Sequence, residues 1–294
     1  MPFGLTNAFY VVYAVPAFIV YGVVLVNIHR SRKLLSRPFV ALFNVSAVVN
    51  LLTWCNTWLA HRLRNDYFFY WWYQWLNTQY FVRSLLEFII NDMYYVQNAM
   101  SFLFTANRFT AVVMPLYHSR IWDPHYWKII VTTLVLSNGL CLATRIPIET
   151  QFVFDHSTHA YVTESLNDLT PAATATVIYG AIMLVICAVA NIISLATLIK
   201  FRHNHANKKE LYFFIIAFGV FLAQVLNFAV IILRIHFKLT EQYAEMELID
   251  QLTPFTSDVF SLGQPIYTLL IPSAIKYRLF TQSSTKVVNL SQNI

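Results

Sequence analysis

The sequence predicts an all-α bundle of seven transmembrane helices, with its N-terminus extracellular and its C-terminus cytoplasmic. Three observations lead there. Of the 294 residues 57% are hydrophobic and only 12% are charged, about half the charged share of ordinary soluble domains, which is about 25%. A soluble chain of this size would lack the polar residues to cover its surface, so lipid is the solvent that fits. The apolar residues also fall into seven runs, most of them near the roughly 20 residues a membrane-spanning helix needs. Finally, the basic residues cluster in alternate gaps between those runs.

The runs cover about 8–28, 39–60, 85–114, 127–146, 172–199, 211–233 and 254–275, with 281–294 left as a short cytoplasmic tail. The third is interrupted by polar residues. Before it lies Tyr67–Val82, rich in Trp, Tyr and Phe. That stretch is too short and too polar to span, and its aromatics suit an interfacial segment in the first outer loop.

Orientation follows from the distribution of Lys and Arg. With the N-terminus outside, the inner side receives fourteen of the twenty: Arg30, Arg32, Lys33, Arg37, Arg108, Arg120, Lys128, Lys200, Arg202, Lys208, Lys209, Lys276, Arg278 and Lys286. The outer side receives Arg62, Arg64, Arg83, Arg145, Arg234 and Lys238, together with Glu149, Asp155, Glu164, Asp168, Glu241, Glu245, Glu247 and Asp250. The net charge of +6 therefore reads as membrane orientation, and no nucleic-acid partner is expected. With no basic leader and small-residue cleavage site ahead of it, the first helix is expected to act as an uncleaved insertion signal.

Chemistry-bearing motifs are sparse. HExxH, GxSxG and phosphate-binding glycine loops are absent, so no enzyme activity and no cofactor is expected. Cys55, Cys141 and Cys187 all lie in apolar runs, where a cysteine packs as a small hydrophobe. The last run has no lysine for a Schiff base, which excludes a retinal protein. A multi-pass transporter or a ligand-gated channel subunit is the competing class. The six glycines and the lack of paired interrupted helices speak against a transporter.

The most informative string stands at the inner end of the third run: Asn107-Arg108-Phe109, with Pro115-Leu116-Tyr117 following. It resembles the Asp-Arg-Tyr triplet and spaced Pro-Leu of rhodopsin-like G-protein-coupled receptors. With Ile121-Trp122 beyond it, it is similar more narrowly to the nematode serpentine chemoreceptors of the gamma and V classes. Asn107 stands where the triplet has an acid, Gln264-Pro265-Ile266-Tyr267 stands where rhodopsin-like receptors have Asn-Pro, the sixth run lacks a proline, and no cysteine ties the third helix to the second outer loop. These departures suit a divergent chemosensory branch.

The resemblance implies a two-state receptor with two partners besides the bilayer, a small-molecule ligand outside and a heterotrimeric G protein inside. It implies residence in the plasma membrane, with sensory cilia the family's expected site. Asn107, Arg108, Phe109, Pro115 and Leu116 would form the inner switch, with Glu210 the nearby acid to pair with Arg108, and Lys276–Phe280 a short helix on the membrane surface. Tail residues Thr281, Ser283, Ser284 and Thr285 are candidate phosphate acceptors. For the ligand, polar residues at helical spacing on the third helix, Asn91, Tyr94 or Tyr95, Asn98, Ser101 and Thr105, should face the bundle. Asp92 stands about 24 Å outward of Arg108 at about 1.5 Å per residue. Asn91, Asp92, Tyr95 and Asn98, with Tyr267 on the last helix, are the candidate ligand residues. Ser101 and Thr105 read as interhelical hydrogen bonders, and Arg83 with Glu87 as an exposed ion pair.

Overall fold

A computed structural model describes residues 5–30, 35–65, 67–145, 148–156, 160–200, 207–240 and 242–269. Seven long helices dominate: α1 Leu5–Arg30, α2 Arg37–Thr57, α4 Tyr80–Val113, α6 Tyr126–Arg145, α7 Thr170–Lys200, α8 Asn207–Leu239 and α9 Tyr243–Leu269. Two short helices, α3 Tyr70–Thr78 and α5 Pro115–Trp122, and a hairpin of β1 Thr150–Asp155 and β2 Ala160–Ser165 fill three of the connections. The expected surface segment Lys276–Phe280, the tail 281–294 and most of the α7–α8 connection lie outside the described residues.

Prolines place two of the boundaries. Pro38 sits in the first turn of α2, where its missing N–H leaves no hydrogen bond unmade. Pro115 opens α5 and drives Met114 out of the helical region, to φ −129° and ψ 57°. α4 therefore stops at Val113, and the chain turns. Without a proline, α8 runs unbroken for 33 residues. Its last turns and the first turns of α9 are longer than the apolar runs suggest, because charged residues carry both helices past the hydrocarbon. Arg234 Nε meets Asp250 Oδ1 there at 2.7 Å.

Five of the long helices, α1, α2, α6, α7 and α8, contain segments long and apolar enough to cross a membrane. The other two are α4, which carries more buried polar residues than any other helix, and α9, which carries as many as α2. α4 packs against α2, α6, α7 and α8, and Tyr95 through Ser101 are buried without a break. A helix in that position is shielded from lipid by its neighbours, so its polarity costs nothing in hydrocarbon. Val12, Ile19, Ile182, Ile192 and Ile199, by contrast, are exposed on the lipid-accessible helices α1 and α7.

At the end of the bundle away from Arg108, α3 and the hairpin form one aromatic unit. Its residues alternate as a hairpin requires: Phe152 pairs with Thr163 and Phe154 with Tyr161, which puts these four on one face. Tyr73 lies 5.2 Å from Phe152 and 5.5 Å from Tyr161 between ring centroids, the latter stacked. Asn77 completes the join, donating to Phe152 O at 2.6 Å and accepting from Phe152 N at 2.9 Å. This fork does without a cysteine what a disulfide would do elsewhere. The hairpin is an addition to the seven-run reading, which treats this connection only as an acidic outer loop. Asn77→Ala removes both bonds, and the Phe152 amide is expected to exchange roughly tenfold faster in hydrogen-exchange mass spectrometry, equivalent to about 1.4 kcal/mol.

Candidate functional site

Polar groups in the bundle gather at three levels. At the hairpin end, a π-helical turn Trp58–Arg62 closes α2 and swings Arg62 inward. Arg62 and Asp258 of α9 meet at 2.5 Å, with side chains 1% and 3% exposed. Tyr13 of α1 donates to the same carboxylate oxygen, and the guanidinium lies over the rings of Tyr10 and Trp58 at 4.2 and 4.9 Å. Removing a charge of either sign from water is expensive unless its partner comes too. The pair therefore locks α1, α2 and α9 together. Sequence reading counts Arg62 among the outer-side basic residues and passes over Asp258. The available signal is an acid inside an otherwise apolar run.

Midway along the bundle Gln264 acts as a hub. Its Oε1 accepts from Ser46 Oγ and Asn50 Nδ2, both at 2.9 Å, and from Tyr21 OH at 3.2 Å. Gln97 of α4 joins by donating to Asn50 Oδ1 at 3.1 Å and to Ser261 Oγ at 2.9 Å. Four helices are tied at this level. One turn along, Ser101 Oγ donates to Gln224 Oε1 of α8 at 2.7 Å, and Gln224 Nε2 to Asn98 Oδ1 at 2.8 Å.

The expected ligand residues separate on this geometry. Asp92 and Tyr95 share one neighbourhood between α4, α6 and α7. Asp92 is 3% exposed and lies beside the Cys141 thiol, and among the described residues its Oδ1 has no hydrogen-bond partner. Tyr95 is fully buried, with its hydroxyl 3.0 Å from Thr176 Oγ1 and its ring 4.8 Å from that of Tyr179. Asn91 is half-buried and donates to the backbone oxygen of Glu87 at 2.7 Å. Asn98 turns toward α8 instead. Tyr267 is not brought to the other four: it lies against α8 nearer the Arg108 end, where a Cβ at Gly219 would come within 2.8 Å of its ring. Gly219 is what lets α8 and Tyr267 approach. The Arg83–Glu87 pair does not form: Glu87 is 3.7 Å from Arg64, while Arg83 donates to the backbone of Asn77 at 3.3 Å. Burial of the Arg64 head beside the hairpin accounts for this preference, since a desolvated guanidinium needs the acid more than an exposed one does.

At the far end Arg108 is 4% exposed. Its Nη1 donates to Glu210 Oε2 of α8 at 3.2 Å, and its Nη2 to the side-chain oxygen of Asn107. Phe39 and Phe213 cover the guanidinium at 5.2 and 4.9 Å. A cleft of about 260 Å³ opens beside it, lined among others by Ser36, Pro115, His118 and Glu210. α5 is folded back onto α4 by two bonds to Thr110 Oγ1, from Trp122 Nε1 at 2.9 Å and with His118 Nδ1 at 3.0 Å. Trp122 is buried while Leu116 and Tyr117 stand exposed. Phe109 is half-buried beside them. Burial, reinforced by the nearby Arg108 charge, holds the His118 imidazole below its ordinary range. Neutral His118 is thus the form that fits. Among the described residues no group of three or more His, Cys, Asp or Glu is placed to hold a metal.

A bundle of long apolar helices, centred on a polar helix with Asn-Arg-Phe near its end, is the arrangement of a serpentine membrane protein. The model of the Srg family of chemoreceptors matches residues 7–279, and the chain belongs to that family. It is also similar to "Serpentine receptor class gamma-31" of Caenorhabditis elegans, at 21% identity over 274 residues covering 88% of this chain and 86% of that one. The protein is accordingly a multi-pass membrane protein of the chemoreceptor class.

Two outcomes follow from the geometry. Arg62→Met and Asp258→Asn should each lower thermal stability by an amount corresponding to about 3 kcal/mol, and the double substitution by less than the sum, because each single change strands a buried group. Detergent-solubilised thermal melts measure this. Because the folded His118 pKa lies below the unfolded value of about 6.5, the contact is whole above that pH and weakens as pH falls through the lower folded value. Protection of the α5 amides, with exchange rates corrected for their intrinsic pH dependence, should fall on acidification in the native chain and stay constant in His118→Gln.

Proposed function

We propose that the chain crosses the membrane seven times, with the hairpin end outside and the Arg108 end in the cytoplasm, and transmits binding of a small extracellular ligand to a heterotrimeric G protein. The observation that carries this reading is the part-buried Arg108–Glu210 bond between α4 and α8. It joins two long helices at the end where the basic connections gather, beside an open cleft. A ligand favours one arrangement only through differential affinity. In the resting state the bond holds α8 against α4. When it parts, the cleft widens and the buried Asn107 and Arg108 and half-buried Phe109 become accessible to a partner beside Pro115, which is exposed already.

Leu116 and Tyr117, exposed at the start of α5, give that partner an apolar contact, and Trp122 keeps α5 in place. At the opposite end the neighbourhood of Asp92 and Tyr95 is the part of the expected ligand set that fits best, since its carboxylate has a free oxygen and aromatic walls. Asn91 lies beside it, Asn98 links it to α8, and Tyr267 belongs to the moving α8–α9 contact. The family supports plasma-membrane residence and a sensory cilium as its setting, and supports a signalling role over catalysis.

A ligand screen in cells carrying a promiscuous G protein tests the reading. Glu210→Gln is expected to raise ligand-independent signalling several-fold, and Arg108→Ala to reduce the ligand response at least tenfold at equal surface expression. Unchanged signalling in both, or ligand-driven flux or current without any G protein, overturns it.

A further inference from the structure

The aromatic unit at the hairpin end has two faces, and among the described residues only one of them is packed within the protein. Tyr70, Tyr73, Leu76 and Asn77 of α3 turn toward the hairpin, where Tyr73 and Leu76 are fully buried. Tyr67, Trp71 and Trp75, four residues apart, turn away and are 83%, 61% and 40% exposed. Phe68 is exposed beside them. Three large aromatic side chains in water along one short segment are costly, at about 25 cal/mol for each Å² of apolar surface left wet.

We infer that α3 lies in the membrane interface, with Trp71 and Trp75 seated in the headgroup layer of the adjoining leaflet, so that the hairpin it grips is moored to the bilayer as well as to the bundle. Three features select lipid as the occupant. No residue from Tyr67 to Val82 is charged, which removes the ionic contacts a soluble partner would use. Trp and Tyr dominate the exposed face, and these residues favour the interface because an apolar ring carries a polar edge. The patch is also continuous with a surface that already faces lipid. α4 begins two residues after α3 ends, and its Phe81, Leu85 and Ile89, again four apart, are exposed along one stripe running into the span. A second copy of the chain is the rival occupant, but a short convex helix offers it no groove.

The inference rests on the membrane-bundle reading, and the test separates the two. Full-length receptor with Cys55 replaced by Ser is reconstituted in phosphatidylcholine nanodiscs; Cys141 and Cys187 are buried and should take up no label. Nitroxides are attached singly at Trp71→Cys, at Glu164→Cys on the exposed side of β2, and at Ile192→Cys in the middle of α7. Collision rates with oxygen, which prefers lipid, and with a water-soluble nickel chelate are compared. The oxygen-to-nickel ratio at position 71 is expected several-fold above that at position 164 and below that at position 192. A ratio equal to that at position 164 overturns the inference while leaving the bundle intact. A low ratio at position 192 as well overturns both. Dipolar broadening at position 71 that disappears on dilution with unlabelled receptor places a second copy there and likewise rejects lipid.

Discussion

The rest of the structure depends on one constraint: a polar side chain in hydrocarbon has no solvent to turn to, so it must find protein. α4 carries Asp92, Gln97, Asn98, Ser101, Thr105, Asn107 and Arg108, all of them buried. A helix so loaded cannot stand at the edge of the bundle. It takes the centre, and α2, α6, α7 and α8 are arranged around it. The apolar helices α1 and α7 can then present valine and isoleucine to lipid over much of their length. The order of the bundle is thus set less by attraction among apolar helices, which lipid satisfies equally well, than by the need to seat polar groups against one another.

That need is met in layers with different chemistry. The hairpin-end layer uses full charges, Arg62 with Asp258, and locks α1, α2 and α9. The middle layer uses neutral amides and hydroxyls centred on Gln264. Neutral groups there exchange partners at little cost, since each loses one bond and gains another. The Arg108 layer returns to charge but is less closed, because Glu210 is 31% exposed in its side chain and lies beside a cleft. Of the two charged layers, the one with water at hand is the easier to open. A guanidinium leaving Glu210 is rehydrated, whereas one leaving Asp258 is stranded.

Much of this was legible in the sequence. The seven long helices follow from run length, and the central place of α4 from polar residues at steps of three and four. The break at Met114 follows from Pro115, and the approach of Glu210 to Arg108 from the absence of another acid nearby. What escaped has a common cause. Arg62–Asp258, Gln264–Asn50–Gln97 and Asn77–Phe152 all join residues far apart in the chain, and no local period records such a pairing. The hairpin escaped for a different reason. Its Phe152-Val-Phe154 and Tyr161-Val-Thr163 alternate over too few residues to stand out beside helices of thirty. The Arg83–Glu87 expectation failed through the same blindness: helical spacing makes the two neighbours, but the burial that hands Glu87 to Arg64 comes from the hairpin.

The layers also explain how one helix can connect both ends. Gln97 faces α2 and α9, while Asn98 and Ser101 face α8 through Gln224. Adjacent positions on α4 are therefore bonded to opposite halves of the bundle. Tyr95 lies less than one turn and Asp92 about one and a half turns toward the hairpin, and Arg108 about two to three turns the other way. A turn of α4 about its axis that improved the contacts of Asp92 would strain the Gln97 and Asn98 bonds in opposite senses, and would carry Arg108 relative to Glu210 on α8. Small rotations of a packed helix are discrete rather than graded, because the bonds on either side are made or not made. For the proposed receptor function, an α4–α8 contact that switched in this way would be a two-state element that both ends can bias, which is the physical requirement for communication between them.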